Sequence, residues 1–249
     1  MSEDPTEIAQ PLTNQWFATT HWTVVLTAQG SPSPAAVEAL EHLCRNYWGA
    51  LYAYVRRSGR APADAADLTQ AFFARFLEKE FLKDVDRNKG KFRSFLLKTL
   101  NHFLADDWRH AHAQKRGGSQ PRLSINTEEW ETRFGGELAT QATPESAFDR
   151  RWALALFDRA LEKLRNESVQ VGKKREFELL KEFLSRPSQD GAYSTIAEQL
   201  GLDESVVAVR VHRLRRRYGQ LVREEVAQTV AHPDEVEDEL RHLLTILSS

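Results

Sequence analysis

A single cysteine, Cys44, occurs in the 249 residues, so a disulfide scaffold and a cysteine-based metal site are excluded and a reducing compartment is the simplest setting. It lies in an apolar helical stretch, as a buried structural thiol would. No apolar run is long enough to cross a bilayer, and residues 1–15 are polar and acidic, without the apolar core of a leader. A cytoplasmic protein with no membrane partner is expected. Strand-type alternation is nearly missing while helical periodicity is nearly continuous, which makes the fold class all-α. Signatures of catalysis are missing too: there is no phosphate loop, nucleophile elbow or His-Glu-x-x-His motif, so no enzyme activity, cofactor or metal is expected. His102, His110 and His112 share one predicted helix, but their spacing does not bring all three to one face.

Positive charge is not in excess either, the formal net charge being −2. Its distribution matters more than its sum. One basic block runs over 87–122, with Lys89, Lys91, Arg93, Lys98, Arg109, Lys115 and Arg116; a second, arginine-rich block ends near Arg217. Acidic residues gather in the tail at Glu224, Glu225, Asp234, Glu235, Glu237, Asp238 and Glu239.

A first helix is predicted from Pro34 to about Arg57, with Val37, Leu40, Leu43, Tyr47, Leu51 and Val55 on one face, ended by Ser58-Gly59. A second opens at Pro62 and continues to about Lys79, with Leu68, Phe72 and Phe76 one turn apart. A third turns Phe92, Phe95, Leu96, Leu100, Phe103, Leu104 and Trp108 inward and breaks at Gly117-Gly118. Periodicity fails over 117–143, the mark of a linker, and helices are expected again over 145–165 and 175–185, then through the tail to 247. Trp16, Trp22, Val24, Val25 and Leu26 are too apolar for a free tail and are expected to pack on the first helical domain. The division read from this pattern is an N-terminal extension at 1–33, a helical domain at 34–116, a linker at 117–144, a second helical domain at 145–220 and an acidic helical extension at 221–249.

Residues 193–217 read as a helix, a glycine-centred turn and a strongly basic second helix, the layout of a DNA-binding helix-turn-helix. Ile196, Ala197 and Leu200 recur at helical spacing before Gly201, where a helix end favours a residue tolerant of positive φ. Asp203 stands at the next N-cap, and Val207, Val211 and Leu214 form an inward stripe. The opposite face holds Ser205, Val206, Ala208 and Arg210 toward the N-terminal end, where base edges are read, and Arg213, Arg215, Arg216 and Arg217 further along, where guanidinium groups hold phosphate. The segment from Phe92 to His112 combines cations with aromatics and amides, as strand separation requires: Lys91 and Arg93 for phosphate, Lys98, His102, Trp108 and Arg109 as further contacts.

Ordered motifs join these blocks. Tyr52-Ala-Tyr-Val-Arg-Arg57, followed by Asp64-Ala-Ala-Asp-Leu-Thr-Gln-Ala-Phe-Phe-Ala-Arg-Phe76, resembles conserved region 2 of the sigma-70 family of RNA polymerase sigma factors. Lys91-Phe-Arg-Ser-Phe-Leu-Leu-Lys-Thr-Leu-Asn101 is similar to the family's promoter-melting helix, and residues 202–216 resemble its region 4 recognition helix. The chain is thereby similar to the extracytoplasmic-function (ECF) subfamily, in a longer subgroup with a C-terminal extension. That resemblance implies a core RNA polymerase partner, through its β′ coiled coil and β flap, and promoter DNA as ligand. It places Asp64, Asp67, Gln70, Phe72 and Arg75 at the polymerase and Asn101 at the promoter, with the downstream element read by the first domain and the upstream one by the second. An anti-sigma factor or a Ser/Thr kinase is a further candidate partner. Ala66 and Ala71 stand where the family usually carries acid; phosphorylation of Thr69 between them would add about −1.5 to −2 charge to that surface. Ala208 stands where many members have lysine. The rival expectation is a helix-turn-helix regulator that dimerises through a stripe of Val236, Leu240, Leu243, Leu244 and Leu247.

Overall fold

The computed structural model describes residues 34–77, 91–113, 143–185 and 192–248. Everything regular in them is helical: α1 Pro34–Arg57, α2 Pro62–Leu77, α3 Phe92–Ala113, α4 Pro144–Gln170, α5 Lys174–Leu180, α6 Ala192–Leu200, α7 Glu204–Ala227 and α8 Val236–Ser248, with 3-10 turns at Lys181–Leu184 and Pro233–Glu235. The all-α class is as expected. The expectations for 1–33, for the linker up to residue 142, and for the side chains of Val37, Leu43, His110 and His112 lie outside the described residues.

Local chemistry accounts for the helix ends. Pro34 and Pro62 each open a helix with the fixed φ that suits a first turn. Thr143 caps α4 by accepting a hydrogen bond from the Ser146 backbone N–H, ahead of Pro144. Three described helices close on a glycine in the left-handed region, α1 at Gly59 (φ 89°) among them. At Gly201 (φ 65°), the N–H of Leu202 bonds back to the carbonyl of Ala197 at 2.9 Å, and Gly172 (φ 73°) ends α4 in the same way. Residues 166–170, expected to be loop, are therefore the last turns of α4. Asp203 is the N-cap of α7 as predicted, but its carboxylate makes no capping bond.

The main core begins between α1 and α4 and extends to α3, α7 and α8. Tyr47 of α1 and Trp152 of α4 are both fully buried, with ring centroids 6.4 Å apart. Phe148, Leu156 and Leu164 continue the α4 stripe, while Leu221, Val222 and Val226 of α7 and Leu243 of α8 close the cluster. Each fully buried side chain of this size contributes roughly 1.5–3 kcal/mol of transfer free energy. Helices on either side of the predicted linker thus share one apolar cluster. Ile196, Ala197, Val207 and Val211 pack with Leu180 and Phe183 in a second, smaller cluster, and Leu214 touches both. Helix α7 runs unbroken past the predicted boundary at 220/221, its N-terminal half in the second cluster and its C-terminal half in the first.

The α8 stripe, which the rival dimeric regulator needs for its interface, is turned inward. Leu243 is fully buried and Val236, Leu240, Ile246 and Leu247 pack against the main core; Leu244 is the exception and is exposed. Cys44 is buried, and burial pushes its thiol up to about 12.

Candidate nucleic-acid interface

Helix α3 turns Phe92, Leu96, Leu100 and Phe103 into the core. Its 3.6-residue period then brings Lys98, Asn101, His102, Ala105, Trp108 and Arg109 to one outward face, and all of them are exposed. Trp108, expected either among the inward residues or as a contact on the outer face, is 53% exposed: it falls one helical step off the stripe of Leu100 and Phe103. Arg109 is held to its own helix, with Nε donating to the Ala105 carbonyl and the guanidinium paired with Asp106. Asn101 Oδ1 accepts a hydrogen bond from the Tyr54 hydroxyl at 2.7 Å, and the Tyr54 ring is buried. Burial raises the Tyr54 phenol above its ordinary value, against the opposing bond to Asn101.

Lys91 and Arg93 are corrected. Arg93 is buried and Lys91 half-buried, and both form an ionic cluster with acids from two other helices. Arg93 is 8% exposed; its Nε donates to Glu239 Oε1 at 2.9 Å, its fork pairs with Asp149, and its plane lies 5.2 Å over the Trp152 ring. Lys91 pairs with the other oxygen of Glu239, a residue 1% exposed. Full burial of Phe92 rotates its neighbours toward α4 and α8, where carboxylates meet them. In this arrangement both cations are engaged by carboxylates.

On α7, Ser205, Val206, Val209, His212, Arg213 and Arg216 form the exposed face. Ala208 is half-buried. Arg210, expected to read bases, pairs with Glu176, and Arg217, expected to hold phosphate, is gripped by Glu167 at 2.9 and 2.5 Å and by Glu224 at 3.2 Å. The Glu167 hydrogen bonds raise the Arg217 guanidinium further and, outweighing partial burial, hold the Glu167 carboxyl below its ordinary value. Arg215 donates to the Phe183 carbonyl at 2.8 Å. Among the described residues Arg213 and Arg216 have no acidic partner. Val209 and His212 were missed as surface residues, although the spacing i+4 and i+7 from Ser205 marks them.

These surfaces belong to two stretches of chain, and the first can be compared with known proteins. Residues 43–114 match the model of sigma-70 region 2. The match supports the sigma-70 family of RNA polymerase sigma factors and a role in promoter recognition and melting; the family implies core RNA polymerase and promoter DNA as partners. It spans the second half of α1, all of α2 and all of α3, well under half of the chain. Comparison with curated proteins and with solved structures gives no match.

Within this region 2 segment, α2 carries the residues that the resemblance assigned to polymerase contact. Asp64 is exposed and Asp67, Gln70 and Arg75 are half-buried. The Arg75 guanidinium lies 5.7 Å over the Phe103 ring. Phe72 is corrected from interface to core: it is fully buried, 5.9 Å from the Phe76 ring and 5.8 Å from that of Phe103. Thr69 is corrected too. Its side chain is fully buried and its hydroxyl donates to the Ala65 carbonyl at 2.7 Å, so a kinase has no access to it in this fold. Ala66 is likewise buried, and an acid there would face the core; Ala71 alone of the two alanines is on the surface.

Among the described residues no group of three His, Cys, Asp or Glu side chains is placed to hold a metal ion. No helix among them is long and apolar enough to cross a membrane.

Proposed function

We propose that this protein is a sigma factor of the ECF subfamily that binds core RNA polymerase and directs promoter recognition, duplex melting and transcription initiation at a particular set of promoters. The observation that carries the reading is the outward face of α3, within the region 2 segment: Lys98 for phosphate, Asn101 for a base edge, and His102 and Trp108 as surfaces on which an unpaired base stacks. Asp64, Asp67, Gln70 and Arg75 on α2 form the polymerase contact. The pair α6 and α7 acts as a helix-turn-helix of the region 4 type, with Ser205, Val206 and Val209 toward base edges and Arg213 and Arg216 on phosphate. The C-terminal half of α7 and the acidic helix α8 close the main core beside the first-domain helices.

Inward packing of Val236, Leu240, Leu243 and Leu247 weighs against a regulator that dimerises through α8, since that stripe is already in the core. Run-off transcription with core polymerase on genomic DNA, followed by mapping of start sites, tests the proposal. Core-dependent transcripts sharing upstream elements are expected. A chain that gives no core-dependent product, or binds a palindromic site as a dimer without polymerase, refutes it.

A further inference from the structure

Tyr54 sits on α1 with its ring in the core and its hydroxyl emerging between α3 and the start of α4. Two acceptor oxygens lie within reach: Asn101 Oδ1 at 2.7 Å and Glu145 Oε1 at 3.3 Å. A phenol has one hydrogen to donate, and a carboxylate has none. Only one of the two oxygens can therefore receive it, and the nearer contact has the length of a good O–H···O bond while the farther one does not. Asn101 consequently turns its carbonyl oxygen inward and its NH2 group outward.

We infer that Tyr54 is a positioning residue for base recognition, holding the Asn101 oxygen so that the amide donors face a nucleobase acceptor. Glu145 is the competing acceptor in this arrangement. Were it to take the phenol hydrogen, the Tyr54 oxygen would accept from the Asn101 amide, and Asn101 would present its oxygen instead, asking a base for a donor. Because Glu145 lies in the first turn of α4, the seat of that helix end against α1 sets the hydrogen-bonding polarity of the α3 face. The inference rests on the promoter-binding reading above and assigns to it a residue that never touches DNA.

The test uses the full chain bound to core polymerase, with fluorescent DNA carrying a mapped promoter in which each position of the downstream element is changed singly. Asn101→Ala should lose its preference at one position, and Tyr54→Phe should lose it at that same position by about five- to tenfold, the worth of one oriented hydrogen bond. Other positions should be unchanged, and the double variant should lose no more than either single one. Glu145→Ala should keep the preference. If Tyr54→Phe retains the preference that Asn101→Ala loses, or weakens binding to every sequence alike, Tyr54 is a core residue and nothing more. If Asn101→Ala matches wild type at all positions while core-dependent binding persists, the positioning role fails and the sigma-factor reading stands. Absence of core-dependent promoter binding by the wild-type chain overturns both.

Discussion

Removing the Glu239 carboxylate should detach α8 from α3. Glu239 is 1% exposed and accepts from both Lys91 and Arg93, so Glu239→Ala strips a buried cation cluster of its central anion. Losing one partner of a buried ion pair costs about 3–5 kcal/mol, because the remaining charge stays desolvated. Two features here reduce the penalty. Arg93 keeps Asp149 and the Trp152 face, and the Lys91 side chain, 34% exposed, can turn toward water. The expected loss is therefore at the low end, about 3 kcal/mol, which for an m-value of about 3 kcal/mol/M is a drop of about 1 M in the urea midpoint. Glu237→Ala is the matched control: the same helix loses an acid whose side chain is 61% exposed, paired with Arg223, and an exposed pair is worth about 0.2–1 kcal/mol. The double variant Arg93→Met with Glu239→Leu should recover part of the loss: apolar residues of similar volume often replace a buried pair at little cost, while Lys91 and Asp149, 34% and 24% exposed, turn their freed charges toward water. Equal midpoints for Glu239→Ala and Glu237→Ala would refute the reasoning.

Three further outcomes are expected. In filter binding to duplex DNA as a function of salt, Arg213→Ala or Arg216→Ala should each lower the slope of log affinity against log salt by about one phosphate contact. Arg217→Ala, whose fork belongs to Glu167, should leave that slope nearly unchanged. Gly201→Ala should cost about 1 kcal/mol in urea unfolding through left-handed backbone strain alone, because a Cβ there meets nothing within 4 Å. Glu225 supplies a pH dependence. Burial pushes its carboxyl up, but hydrogen bonds from Lys163 and Arg159 outweigh that and hold it below the ordinary 4.5. With the folded value depressed, its stabilisation is complete above the unfolded value and is lost as pH falls through the folded one. Glu225→Gln should therefore flatten the fall of the urea midpoint between neutral pH and about pH 3, and an unchanged pH profile would contradict this.

The helices were legible in the sequence because their causes are local. Pro34, Pro62 and Pro144 open turns, Gly201 closes one, and the i, i+4, i+7 spacing of Val207, Val211 and Leu214 selects an inward stripe, all within a few residues of chain. The inward stripe of α3 follows from the same period and leaves Lys98 and His102 outside it, whereas Asn101 was singled out by the family resemblance and Trp108 was drawn inward with its apolar neighbours.

Which charges face solvent was decided only by tertiary structure. Arg210, Arg213, Arg216 and Arg217 are chemically alike and share one helix, yet Arg210 meets Glu176 and Arg217 meets Glu167 because α4 and α5 pass beside that flank of α7. Lys91 and Arg93 are quenched by Glu239, an acid 148 and 146 residues away in sequence. Phe72 and Thr69 are buried because α2 lies against neighbouring helices on that side. Short-range hydrogen bonding and hydrophobic spacing specify a helix and its apolar stripe. An ion pair or a buried hydroxyl depends on which other element arrives, and that is a property of the packed chain.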